Sequence, residues 1–140
     1  MKMGYGAYKS TQAETTDQGK LILVTYDVAI KHAKLAVEKF GDQKAIEERV
    51  KHIFKVQDAL EELQQSLNME AGGEIAMNLY NLYGYMFRTT VDANITNDKS
   101  GVEEVITHLE ALRDAWAQAT MKAKAETTPD LNFDNMAISG

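Results

Sequence analysis

DQKAIEERVKHIFKVQDALEELQQSL, residues 42–67, places its apolar side chains at helical spacing. Ile46, Val50, Ile53, Val56, Leu60, Leu63 and Leu67 recur at steps of three and four, so at ~100° per residue they form one broad stripe. Charged residues fill the opposite face. No strand-like alternation competes with this pattern. The stretch therefore predicts an amphipathic helix that needs other helices to cover its stripe.

Outward from it, three more segments of the same kind appear. Helix 1 is expected from about Asp17, a plausible N-cap, to Phe40, with Gly41 as its stop. Helix 3 is expected to start after Gly72-Gly73 and run to about Asn97. Helix 4 is expected from Ser100, where Ser100 and Glu103 form a capping-box pattern, to about Ala125. Pro129, the one proline, lies beyond all four. Helices of roughly 25 residues would be about 37 Å long. Short connections make consecutive helices antiparallel neighbours. The expected fold is all-α: an antiparallel up-down four-helix bundle over 17–125. An irregular N-terminal cap segment (1–16) and a C-terminal tail (126–140) would flank it.

Composition narrows the function. The chain has 140 residues, a size suited to one domain, and 44% hydrophobic residues, enough to fill a core. It has no cysteine, which excludes disulfides, thiolate metal sites and a cysteine nucleophile. The formal net charge of −6 argues against nucleic acid as a partner, because phosphate rewards clustered Lys and Arg. No apolar run approaches the ~18 residues needed to span a bilayer, and Met1 to Ser10 has no hydrophobic signal region. The expectation is a soluble, unexported, cytoplasmic protein with no direct membrane insertion.

Helix 4 carries one stripe: Val102, Val105, Ile106, Leu109, Leu112 and Trp116. Helices 1 and 3 carry more than a core uses. Helix 1 has Ile22, Tyr26, Ala29, Ala33, Ala36 and Phe40 on one face, and a second stripe of Leu21, Val24, Val28 and Leu35. Helix 3 has Ile75, Leu79, Leu82, Met86 and Ala93, and a second stripe of Tyr80, Tyr83, Phe87 and Val91. Such surplus fits central helices, or helices that the N-terminal segment covers. It equally fits a groove for an amphipathic or unfolded partner.

Catalysis finds little support. A di-iron carboxylate bundle needs Glu-x-x-His on two helices. Here Glu48 precedes His52 by four and Glu104 precedes His108 by four, so both read as surface helix pairs. His32 reads as a boundary residue. Gly72-Gly73-Glu74 lacks the Lys-Ser/Thr of a phosphate loop and reads as backbone freedom at a helix–helix turn. Arg88 and Asn94 have no evident catalytic partner. No metal or cofactor is expected, and no enzyme.

Three segments carry a family resemblance. Leu67-Asn68-Met69-Glu70-Ala71-Gly72-Gly73-Glu74-Ile75-Ala76 is followed by Asn78-Leu79, Leu82-Tyr83, Tyr85-Met86, Arg88 and Ala93-Asn94. Tyr8, Gln12, Glu14-Thr15, Lys20-Leu21-Ile22, Tyr26-Asp27 and Ala29-Ile30 form the second, and Leu112-Arg113-Asp114-Ala115-Trp116 the third. Together they resemble the flagellin-specific export chaperones, the FliS family, over about residues 5–120. The departures are Asp17-Gln18 for a Ser-Pro helix start, Val28 for a glycine, and Thr89-Thr90 after Arg88.

The resemblance implies a cytoplasmic chaperone of flagellar type III export. It would bind the disordered C-terminal region of flagellin, prevent premature polymerisation and deliver it to the export gate's cytosolic domain. Another flagellar regulator would be a further partner. The expected client contacts are Leu21, Val24, Val28, Leu35, Tyr80, Tyr83 and Phe87, with Tyr5 and Tyr8 in the cap or docking segment. The tail lies outside the resemblance: Leu131, Phe133, Met136 and Ile138 either dock on the bundle and compete with the client, or belong to a disordered or loosely packed tail. The alternatives are a bundle adaptor for another secretion client and a di-metal bundle enzyme.

Overall fold

The computed structural model describes residues 12–126, with side chains described from Gln18 to Lys122. Tyr5 and Tyr8, and the tail residues Leu131, Phe133, Met136 and Ile138, lie outside the described residues. Helices α1 (Gln12–Glu38), α2 (Ile46–Gln65), α3 (Met69–Thr96) and α4 (Lys99–Glu126) follow one another, with a short 3-10 turn at Gln43–Ala45 before α2. Each packs mainly on its two neighbours, and α1 with α4 closes the ring. The described chain is an all-α four-helix bundle, with no strand among the described residues.

The core is built from most of the stripe residues read in the sequence; Ile46 and Ile75, expected on those stripes, are instead exposed. α1 contributes Ile22, Tyr26, Ala29, Ala33 and Ala36; α2 contributes Ile53, Val56, Leu60 and Leu63; α4 contributes Val102, Val105 and Leu109. The three alanines let neighbouring backbones approach α1 closely. α3 contributes Ala76, Tyr83, Met86, Thr90 and Ala93. Tyr83 is only 2% exposed. The assignment of Tyr83 to a surface stripe is therefore corrected: it fills the centre. Its hydroxyl lies 2.5 Å from that of Tyr26, on the diagonal helix. Buried phenols need hydrogen-bond partners, and each of these two supplies the other's.

Polar rungs fix the register. Between α2 and α3, Arg49 Nε and Nη1 donate to the side-chain carbonyls of Asn94 and Asn97 at 3.1 and 2.9 Å, and Nη2 donates to the Asn94 carbonyl at 3.3 Å. The guanidinium also sits 4.6 Å from the centre of the Phe40 ring. Gln57 donates to the Thr90 hydroxyl and Gln64 to the Tyr80 carbonyl, both at 3.0 Å. Between α1 and α4, Arg113 reaches Asp27 at 2.9 Å and Lys34 reaches Glu110 at 3.1 Å. Asn94 thus has a packing role that the sequence left open.

The helix ends differ in detail from expectation. α1 starts at Gln12, within the segment expected to be irregular, so Asp17 lies inside the helix instead of capping it. Its end is tightened by Lys39 and Phe40 amides bonding three residues back, before Gly41 turns at φ +87°. α3 starts earlier than the glycine pair, at Met69, because the Asn68 side chain accepts from the Ala71 amide at 2.9 Å. The glycine break survives one turn later: Gly73 adopts φ 53°, ψ −129°, and the long helical run begins after it. At α4, Asp98 and not Ser100 closes the start. Its carboxylate accepts from the Ser100 amide at 3.0 Å and from the Ser100 hydroxyl at 2.7 Å.

Candidate functional site: an apolar groove between α1 and α2

Leu21, Val24, Thr25 and Val28 follow the i, i+3, i+4, i+7 rule, so one edge of α1 presents them together. Opposite them, α2 offers Ala59, whose methyl is too small to fill the space. The result is a groove of about 370 Å³ with Ala59 in its lining and Lys55, Asp58 and Glu62 as its α2 bank. Val24 is 55% exposed, and Leu21 and Val28 are both more than a third exposed. An aliphatic residue this open loses the stabilisation of burial, roughly 1.5–3 kcal/mol when complete. Three of them gathered at one concavity form a surface that a partner can cover.

Further along the same seam, His32 Nδ1 meets His52 Nδ1 at 2.9 Å. The ring centroids are 5.1 Å apart. One imidazole donates and the other accepts, so the pair is held with at least one ring neutral. Burial, then the neighbouring His52, Lys31 and Lys55, lower the affinity of His32 for its proton. Lys39 and Glu48 meet at 3.7 Å beyond it. This corrects the reading of Glu48 and His52 as a helix pair: His52 instead pairs with His32 on α1, and Glu48 with Lys39 just past the end of α1. Glu104 and His108 do pair, at 3.1 Å, and Glu104 also accepts from the Tyr85 hydroxyl at 2.6 Å. Those hydrogen bonds hold the Glu104 carboxyl below its ordinary range. No cluster of three or more His, Asp or Glu able to hold a metal occurs among the described residues.

The remaining expected contacts separate. Tyr80 is exposed on α3, where its carbonyl accepts from Gln64. Phe87 is half-buried against the core. Neither lines the groove. Leu35 lies two turns beyond Val28 and does not line the groove. Sequence reading missed Phe54, 56% exposed on α2, together with Met77 and Ile95 on α3. Phe54 falls off the α2 stripe among charged residues, and that was the available signal. No helix among the described residues is long and apolar enough to cross a membrane.

Comparison with known proteins gives a consistent result. The family model described as flagellar protein FliS matches residues 1–123. The chain is 30% identical over 122 residues to the flagellar secretion chaperone FliS of Bacillus subtilis, covering 87% of this chain and 90% of that protein. It is 39% identical over 95 residues to the flagellar secretion chaperone FliS of Salmonella typhimurium, covering 68% of each. The corresponding chaperone of Campylobacter jejuni is 30% identical over 119 residues, 83% of this chain and 90% of that one.

Proposed function

This chain belongs to the FliS family of flagellar secretion chaperones, and on that premise we propose that it captures the disordered C-terminal region of flagellin. Capture in the cytoplasm masks a segment that would otherwise polymerise, and the complex is delivered to the cytosolic domain of the export gate. The observation that carries this reading is the open α1/α2 groove with Leu21, Val24 and Val28 exposed along it.

A segment that orders on binding loses ~2–5 kcal/mol to ordering and typically buries ~1,000–3,000 Å². One groove of two helical turns is too short for that. We assign the groove as the principal contact. Tyr80 and Phe87, on α3, form a second strip, and Leu35 extends the first. Tyr83 leaves the list because it is buried. Tyr5 and Tyr8 are assigned to docking, with the export gate or another flagellar regulator as their target. Masking is equilibrium binding, so it requires no cofactor and no turnover.

Calorimetric titration with a flagellin C-terminal peptide tests this. The expected result is saturable one-to-one binding with a negative heat-capacity change, the mark of apolar burial. Absence of binding at tens of micromolar peptide would remove flagellin as the client and leave an adaptor for another secreted protein.

A further inference from the structure

The groove is apolar along its floor but electrically polarised along its length. The antiparallel pairing of α1 and α2, fixed by His32–His52 and Lys39–Glu48, sets Glu62 level with Leu21 and Lys55 level with Val28. The acidic end holds Asp58 and Glu62. The basic end holds Lys55, close enough to His32 to disfavour its protonation. Seven residues of α2 separate Glu62 from Lys55, about 10 Å at 1.5 Å per residue.

The acidic end breaks a local rule. α2 terminates at Gln65, so Glu61 and Glu62 stand against the negative end of its dipole, and no basic residue occupies the last turn. Asp58 and Glu62 make no ion pair or side-chain hydrogen bond among the described residues. Glu62 weakens its own helix, and both it and Asp58 are exposed at the groove with no ion-pair partner among the described residues, so both are free to meet a charge on a bound partner.

We propose that the groove takes an amphipathic client helix in one direction only, parallel to α1. Its N-terminal turn, with a basic side chain, lies against Asp58 and Glu62, and its C-terminal turn, with an acidic side chain, lies against Lys55. This rests on the reading of the groove as the client site. The positive end of the client's helix dipole then meets the acidic bank and its negative end meets the lysine. An apolar ridge at i, i+3, i+4 and i+7 fits between Leu21, Val24 and Val28. Apolar contact supplies affinity, and the charges supply polarity and choice of partner.

The test uses the full chain and a flagellin C-terminal peptide. The double reversal Asp58→Lys with Glu62→Lys is compared with an equal change of charge on the far side, Asp92→Lys with Glu103→Lys. The expected result is weakening by about ten-fold or more for the groove reversal in low salt, shrinking as salt screens the charges. The remote reversal leaves affinity within about two-fold. Because the groove reversal relieves a clash with the α2 dipole, its thermal midpoint holds or rises, so weakening does not reflect unfolding. A nitroxide on the peptide's first turn broadens amides near Glu62 more strongly than those near Lys55, and one on its last turn reverses that order.

Equal effects of the two reversals, or broadening centred on Lys55, overturn the polarity. If Val24→Asp still abolishes binding in that case, the groove remains the client site. If Val24→Asp leaves binding unchanged with helical content intact, the groove reading fails and the polarity fails with it.

Discussion

The hydroxyls of Tyr26 and Tyr83 meet 2.5 Å apart at the centre of the bundle, linking α1 to α3 across its diagonal. Their rings are tilted at 55° with centroids 6.5 Å apart. Burial is the main cause that pushes both phenols up, Tyr83 to about 12 and Tyr26 higher, so both stay neutral around physiological pH. Removing one hydroxyl orphans the other. Tyr26→Phe and Tyr83→Phe should each cost about 1–3 kcal/mol in urea unfolding. The double variant should cost less than the sum, because no buried phenol is then left unpaired. Client affinity should not move with Tyr83→Phe, since that residue presents no surface. A large change in affinity would mean that the bundle opens to admit the client.

Arg49 fastens the start of α2 to the end of α3 with three donated hydrogen bonds. Arg49→Ala leaves the side chains of Asn94 and Asn97 without that donor and should cost roughly 2–3 kcal/mol. Lysine should not restore it, because a point ammonium cannot replace the guanidinium fork. Chemical denaturation of both variants checks this. A loss below about 0.5 kcal/mol would mark the cluster as an ordinary surface contact.

Gly73 holds φ 53°, ψ −129°, a conformation that L side chains rarely adopt. A Cβ there would touch nothing within 4 Å, so the objection to a side chain is conformational and not steric crowding by neighbours. Gly73→Ala should cost about 1–3 kcal/mol. If the variant is as stable as the parent, α3 runs straight through this point in solution.

His32 loses proton affinity on folding, first through burial and then through His52, Lys31 and Lys55. Its folded value therefore lies below the unfolded 6.5. The unfolded chain binds the proton more readily, so this contribution to stability is complete above the unfolded value and is lost as pH falls through the folded one. Between about pH 7.5 and pH 5.5 the unfolding midpoint should fall, and His32→Gln should flatten that slope. An unchanged slope in the variant would assign the pH dependence to other groups.

Val24→Asp places a carboxylate in the groove without touching the core. It should weaken client binding about ten-fold or more, at least ~1.4 kcal/mol. Circular dichroism should be unchanged, because the residue is more than half exposed. Loss of helix would make Val24 a core residue.

Much of this architecture was legible in the sequence. α2 and α4 each carry one apolar stripe, and a single stripe has only one way to face a core. α1 was also readable: Ala29, Ala33 and Ala36 mark the close-packed face, which left Leu21, Val24 and Val28 outside. α3 was not. Tyr80 and Tyr83 stand about 60° apart on the wheel, and a helix apolar over both directions does not declare which one is inward. The deciding fact is the hydroxyl of Tyr26 on another helix, a partner that one-dimensional periodicity does not contain. The caps were misplaced for a similar reason. Asp98 takes the amide expected to belong to the Ser100 box, and two neighbouring polar residues compete for the same role on nearly equal terms. His32–His52 joins residues twenty apart and needed the α1/α2 register first.

Amide chemical-shift mapping of the full chain with a flagellin C-terminal peptide is the most direct test that the α1/α2 groove receives the client. The largest shifts are expected to cluster at Leu21, Val24 and Val28 on α1 and from Lys55 to Glu62 on α2, with smaller changes near Tyr80 and Phe87. Saturable binding that leaves those groove amides unmoved, with shifts confined to the α3/α4 face around Tyr85 and His108, would contradict it.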